Sequence, residues 1–358
     1  MKNFWISIFF MGLLETGQAS YTSPIQNDEV VTFFPTVGYP IEEGKSWALP
    51  IHGWVYRPTW GSELPEQLSH DLGLKGDEET SLLKERMKAF MVDNQEHQAI
   101  AIRLGKKLFL LQESAANGHF SETIHLSNEE VNLLRQGEML SFTALTRPED
   151  HRHFEGHIHL VGQEGISVIS DIDDTIKITQ VNDKTALFAN TFLRPFEPVP
   201  KMNVLYQSWA QHTQTSFHYI SASPWQLYFP LMEFIKTHHF PLGSVSLRLF
   251  RLKDSSVLDF FKSPHEYKMQ NIEFLMQCCP KRRFVLVGDS GESDPEIYAE
   301  VARKHPKHVA LILIRDVTDE SAETKRYQET FKGLPPSLWK IFKEPETLQK
   351  EFSDMLTK

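Results

Sequence analysis

The sequence predicts an α/β domain, a parallel sheet with helices on both faces, preceded by a β-rich amino-terminal domain. Two contrasting rhythms in the chain carry this. After Gly165, short apolar strands ("SVIS", "SFHYIS", "VSLRLF", "RRFVLVGD", "HVALILIR") alternate with helical patterns, as strand–helix–strand units do. Before it, short strands follow one another with turn punctuation: "EVVTFFPT", "SWALPIHGWVYRP", "QAIAIRLG", "KLFLLQES", "HFSETIHLS", "MLSFTALT" and "GHIHLVG". That succession suggests a sandwich or barrel-like module, interrupted by the helical pieces "DEETSLLKERMKAFMVDN" and "NEEVNLLRQ".

Taken in order, the first element is a targeting segment. "MKNFWISIFFMGLLETGQAS" has a basic Lys2, an apolar run from Phe4 to Leu14, and small residues Gly17 and Ala19 spaced for cleavage after Ala19. It predicts a signal peptide over 1–19 and a secreted or periplasmic protein. The alternative is an uncleaved interfacial anchor, since the run is shorter than the ~20 apolar residues a spanning helix needs. The β-rich module then covers 20–163, the α/β domain 164–333, and a helical, peripheral tail 334–358.

Composition narrows the partners. The 358 residues are 41% hydrophobic and 23% charged, with a formal charge of -10, so the chain is globular and no broad basic surface for nucleic acid is expected. The two cysteines, Cys278 and Cys279, are adjacent and build no disulfide framework.

Parallel sheets place their sites beyond the carboxyl ends of the strands, and four stretches of the α/β domain put polar residues there. In "GISVISDIDDTIKIT", Asp171, Asp173 and Asp174 crowd the end of an apolar strand; mutual repulsion calls for something positive among them. Asp171 and Asp173, two apart, suit Mg²⁺, although an Asp-rich turn is the other reading. In "LVGDSGESDPEIYAEVA", Asp289 ends a second strand and Asp294 is either a ligand or a helix N-cap before Pro295. Lys268 in "SPHEYKMQNIEFLMQCCP" lies on the helical stripe of Ile272, Leu275 and Cys279, so its ammonium either snorkels outward or reaches the carboxylates and a phosphoryl group. Ser221 in "YISASPW" ends a further strand, where its hydroxyl and nearby amides suit phosphate oxygens.

In order, "SDIDDTIKIT", "YISASPWQLY", "HEYKMQNI" and "FVLVGDSGESDPEIYAEVA" resemble the four motifs of the haloacid dehalogenase superfamily, and their wording is similar to its actin-patch-type phosphatidate phosphatases, distant relatives of lipins. The resemblance covers roughly 165–318, with Lys201 standing after "PVP" where glycine is expected. It implies a haloacid dehalogenase-like fold and a Mg²⁺-dependent enzyme that releases diacylglycerol and phosphate from phosphatidate. It further implies that Asp171 is the nucleophile and Asp173 the acid and then the base. Mg²⁺ would be held by Asp171, the Asp173 carbonyl, Asp289 and Asp294, and Ser221 and Lys268 would hold phosphoryl oxygens. Asp174 is given no chemical role. The alternatives are a phosphatase of phosphoproteins or soluble phosphomonoesters, and a non-catalytic phosphatidate-binding module.

Three expectations concern the surroundings. Only 45 residues separate Thr175 from Ser221, so an open site with a short lid is expected. Trp225, Tyr228 and Phe229 either contact a membrane peripherally or pack on the sheet. The histidines of "HRHFEGHIHL", His151, His153, His157 and His159, either bind a transition metal or stand exposed on a strand, and the run Lys281, Arg282, Arg283 reads as a solvated connection.

Overall fold

The computed structural model describes residues 22–59, 77–212, 214–249 and 265–356. The expected signal segment lies outside them. Among the described residues no helix is long and apolar enough to cross a membrane.

The amino-terminal part is a nine-stranded sheet. Its strands are β1 (Val30–Phe34), β2 (Thr36–Ile41), β3 (Ser46–Pro58), β4 (Val92–Asn94), β5 (Ala101–Leu104), β6 (Lys107–Leu110), β7 (His119–Ser127), β8 (Met139–Ala144) and β9 (Glu155–Leu160). β3 is its spine, flanked by β1 and β2 along one edge and by β4 and β7 along the other, all antiparallel. Alternation along β3 sorts its side chains: Trp47, Leu49, Ile51 and Val55 join the module's own core, while Trp54 and Tyr56 join a cluster shared with the α/β domain. β2 was hidden in the sequence by Gly38 and Pro40, which punctuate turns more often than strands. The short helix Asn128–Leu134 starts where Ser127 and Glu130 form a reciprocal capping box.

The second sheet consists of β10 (Ile166–Ser170), β11 (Thr215–Pro224), β12 (Ser244–Arg248), β13 (Arg283–Asp289), β14 (Val309–Arg315) and β15 (Trp339–Phe342). All pairs are parallel, in the order β12-β11-β10-β13-β14-β15. Its inner strands are apolar on both faces, as a sheet covered on both sides requires. Val168, Tyr219, Val285 and Leu313 meet helices Met202–Ala210 and Tyr228–Thr237 on one face. Ile169, Ile220, Leu286 and Ile312 meet helices His265–Cys278 and Asp294–Lys304 on the other. The haloacid dehalogenase-like architecture, a covered parallel sheet after a β-rich region, is thus present.

Two readings of the sequence are corrected. The segment 334–358 is not a peripheral helical tail: Trp339–Phe342 is the sheet's last strand, and Phe352 of the helix Gln349–Leu356 stacks on Trp209 with ring centroids 4.5 Å apart. Four residues were too few to show as a strand. Arg282 is not solvated but 2% exposed. Its guanidinium donates to the carbonyls of Gly162, Glu164, Ile166 and Gln214 and to the Ser167 hydroxyl, tying the segment before β10 to the base of the sheet.

The two parts meet at the edge strand β12. The Val245 amide donates to Pro35 O at 3.1 Å, so the β1–β2 corner blunts an edge that would otherwise be open. Phe34 packs on Trp225, ring centroids 4.0 Å apart, and on Tyr228 at 4.8 Å. These aromatics therefore follow the packing alternative, with Trp225 buried; only Phe229 stays half exposed, at 50%. The histidines of the β9 region do not gather into a metal-ligand group among the described residues.

Candidate active site

β10 delivers Asp171 to the tip of the sheet, where its amide donates to Val287 O of β13 at 2.9 Å. The turn that follows is built around Asp174. Asp174 has a left-handed backbone, φ 54°, tolerated in aspartate more than in most residues. Its carboxylate accepts the backbone amides of Thr179, Gln180 and Val181 at 2.7–2.8 Å, and Arg315 donates to its carbonyl at 2.6 Å. The third aspartate, which the sequence left without a role, thus fixes the returning loop over the site.

The Lys268 ammonium lies 2.9 Å from Asp171 Oδ1, 2.8 Å from Glu292 Oε2 and 2.6 Å from Asp294 Oδ1. Burial works against its charge, and Asp171, Asp294 and Glu292 outweigh it, holding its pKa well above the ordinary lysine value. The helical stripe therefore points the lysine inward, not past the helix end. The pair with Asp171 is electrostatic, because Asp171 Oδ1 has no donor aligned for a hydrogen bond.

Asp289 closes β13. Its Oδ1 accepts the amides of Gly291 and Glu292, whereas Oδ2 is buried with no hydrogen-bond partner. Asp294 opens the helix Asp294–Lys304 but is not its N-cap, which is Ser293. Its Oδ2 faces the Asp289 amide at 3.3 Å. Gly288 permits that approach: a Cβ there would lie 2.2 Å from Asp294 Oδ2.

Ligand atoms of Asp171, Asp289, Glu292 and Asp294 lie within 4.8 Å of one another. Burial raises Asp171 and Asp289 well above the usual carboxylate range, and neighbouring carboxylates add to it. Burial also raises Glu292. One ammonium does not balance four carboxylates, and the two oxygens without donors, Asp171 Oδ1 and Asp289 Oδ2, face that deficit. A hard divalent cation fits this donor set, which is all oxygen.

Asp173 is separate from that group. Its carboxylate takes Lys177 Nζ at 2.8 Å and Thr179 Oγ1 at 2.8 Å on one oxygen, and Ser223 Oγ at 2.8 Å and Ser221 Oγ at 3.1 Å on the other. Burial opposes ionisation, but Lys177 with these hydroxyls overcomes it and draws the pKa down to about 2. Ser221, expected to hold phosphate, here has its hydroxyl on Asp173.

Glu292, Lys177, Thr179 and Ser223 were missed in the sequence. For Lys177 and Thr179 a signal existed. Thr175, Lys177 and Thr179 alternate with Ile176 and Ile178, and all but the partly buried Ile178 are buried, so hydrophilic residues at period two were facing inward. Asp171, Asp173, Asp289 and Lys268 are at most 3% exposed.

A covered parallel sheet thus carries a buried aspartate at the tip of β10, a buried lysine beside it and further acidic residues after β13, the arrangement that the four sequence motifs resemble. Residues 166–316 match the family model of the catalytic domain of phosphatidate phosphatase APP1. Phosphatidate phosphatase APP1 of Saccharomyces cerevisiae is 25% identical over 287 residues, covering 77% of this chain and 47% of that protein. An uncharacterized protein of Schizosaccharomyces pombe is 30% identical over 212 residues, covering 57% of this chain and 34% of its own length. The chain thus spans less than half the length of these curated relatives.

Proposed function

We propose that the protein is a Mg²⁺-dependent phosphatidate phosphatase that releases diacylglycerol and phosphate through an aspartyl-phosphate on Asp171. The observation that carries this is Asp171 Oδ1, a buried carboxylate oxygen at the tip of β10 with the Lys268 ammonium 2.9 Å away and no aligned donor. The match of 166–316 to the APP1 catalytic domain supplies the substrate.

An Asp171 oxygen attacks phosphorus as the bond to the glyceride oxygen breaks, and Lys268 offsets charge on the phosphoryl oxygens. Asp173 protonates the departing alkoxide. It then takes a proton from the water that attacks the aspartyl-phosphate, freeing phosphate and restoring Asp171. The Lys177-held Asp173 stands in the base form; an incoming phosphate dianion raises its proton affinity, as any nearby anion does. Asp171, Asp289, Asp294 and Glu292 would hold Mg²⁺, which when bound would supply Lewis-acid stabilisation of phosphoryl charge.

Phosphate release from phosphatidate vesicles, soluble phosphomonoesters and phosphopeptides, each with and without Mg²⁺, tests the reading. Turnover confined to soluble esters or phosphopeptides refutes phosphatidate as substrate, and turnover unchanged by chelation refutes the metal. Export follows from the first 19 residues, with peripheral membrane contact through the half-exposed Phe229. A mature chain starting at Ser20 is the expected mass from the natural host, and a full-length cytoplasmic species contradicts export.

A further inference from the structure

Beside the catalytic tip, between the two domains, lies a groove of about 260 Å³. The β1–β2 corner forms one wall (Pro35, His52), the edge strand β12 its floor, and Tyr267 and Phe274 of the helix His265–Cys278 the other wall. Leu249 and Phe274 stand at the groove with 54% and 44% of their surface exposed.

Its chemistry is the opposite of its neighbour's. Among the described residues no Asp, Glu, Lys or Arg lines it. His52, its one titratable imidazole, is pushed down to about 4 by burial and is neutral at pH 7. The four-carboxylate group thus adjoins a groove whose described lining is uncharged and largely apolar.

Strand register fixes the distance between them. Ser170 is level with Tyr219, and Tyr219 with Val245, so the β12 floor begins level with the residue before the nucleophile. Two strand spacings separate β10 from β12, about 10 Å, beyond the acyl carbonyls of a phosphatidate, which lie five or six bonds from phosphorus, and within reach of the first methylenes that follow them. Two chain segments run from one site to the other. Trp225 lines the groove two residues after Ser223, whose hydroxyl is 2.8 Å from Asp173, and Tyr267 lines it beside Lys268.

We infer that this groove binds the first part of an acyl chain of the substrate and so selects a diacylglycerol phosphate over a soluble phosphomonoester. The inference rests on the proposed phosphatidate phosphatase activity and names the residues that recognise the apolar part. Apolar contact made away from the reacting phosphorus raises kcat/KM for acylated substrates, by roughly fourfold for each methylene buried until the groove is full.

The test uses the full chain and monomeric substrates below micelle formation: glycerol 3-phosphate, dibutyryl phosphatidate and dihexanoyl phosphatidate. In the wild type kcat/KM rises along this series. Phe274→Asp places a charge at the groove, and Ser246→Trp fills it from the half-exposed Ser246 on β12. Each lowers kcat/KM for dihexanoyl phosphatidate at least tenfold and changes glycerol 3-phosphate less than twofold. Melting temperatures verify folding, and Phe274→Asp suffices if Ser246→Trp fails to fold. A phosphatidate carrying a diazirine on the acyl chain labels Tyr267, Phe274 or Leu249. If phosphatidate is hydrolysed but both variants keep the chain-length preference, the groove proposal is overturned and the function stands. If no phosphatidate is hydrolysed the functional reading fails, and absence of label from the groove overturns this proposal too.

Discussion

In the proposed mechanism the residue that decides the chemistry is Asp171, and burial is what makes it unusual. A carboxylate 1% exposed among Asp289, Glu292 and Asp294 stays ionised only with compensating positive charge, which Lys268 begins to supply. Asp171→Asn keeps the shape and removes the nucleophile. Turnover should fall by a factor of about 10⁴ or more, with circular dichroism unchanged. A variant retaining a tenth of the activity excludes Asp171 as nucleophile. Lys201, the one departure from the resembled pattern, has a physical reading as well. Its φ is 65°, the left-handed region where glycine is favoured, so the expected glycine was a statement about backbone shape. Lys201→Gly should stabilise the fold by about 1 kcal/mol in chemical denaturation, the lower end of the left-handed penalty for a side chain; a loss of stability shows that the Glu346 ion pair outweighs the strain.

At the scale of elements, strands announced themselves through apolar runs, and the site through polar residues at their ends. Asp171 and Asp289 were legible for that reason, Lys268 through its place on the apolar stripe of a helix and Asp294 through its place before Pro295. Ser221 was located, but its bond to Asp173 was not, because hydroxyl direction depends on Lys177 and Ser223, which only the folded loop brings there. Glu292 was quoted inside its motif yet unread, since glutamate in a Gly-containing loop is ordinarily solvated. β2, β4 and β15 were missed because the residues of the first imitate a turn, the second is three residues at the end of a stretch read as helical, and the third is four residues long. Arg282 hid in a basic run that composition places at the surface. Its six acceptors lie on the segments entering β10 and β11, so Arg282→Ala removes a donor from buried and part-buried groups there. The expected cost is about 3 kcal/mol or more in urea unfolding; a change under 0.5 kcal/mol means water replaces the guanidinium.

Across the whole molecule the two domains share one packed boundary, and its histidines give it a pH signature. Burial lowers His52 to about 4, and burial together with His52 lowers His119 to about 3; the rings meet at 3.1 Å. Both stay neutral when folded but protonate near pH 6.5 when unfolded. Their contribution is complete above that value and is lost as pH falls toward the folded values, by up to about 1.4 kcal/mol per pH unit for each ring. The raised Asp171, Asp289 and Glu292 act oppositely, gaining protons in the folded state as pH falls, so the histidine term is read by difference. Against the wild type, His119→Gln should close its stability deficit as pH is lowered from 6.5 to 4, and a constant gap contradicts a neutral buried His119. The central claim is that phosphorus passes through Asp171, and acid-quenched turnover of ³²P-phosphatidate tests it most directly. The account predicts label on the peptide containing Asp171, chased by unlabelled phosphatidate and absent from Asp171→Asn. Phosphate accumulating from the wild type with no protein-bound label at any quench time, and undiminished in Asp171→Asn, would contradict it.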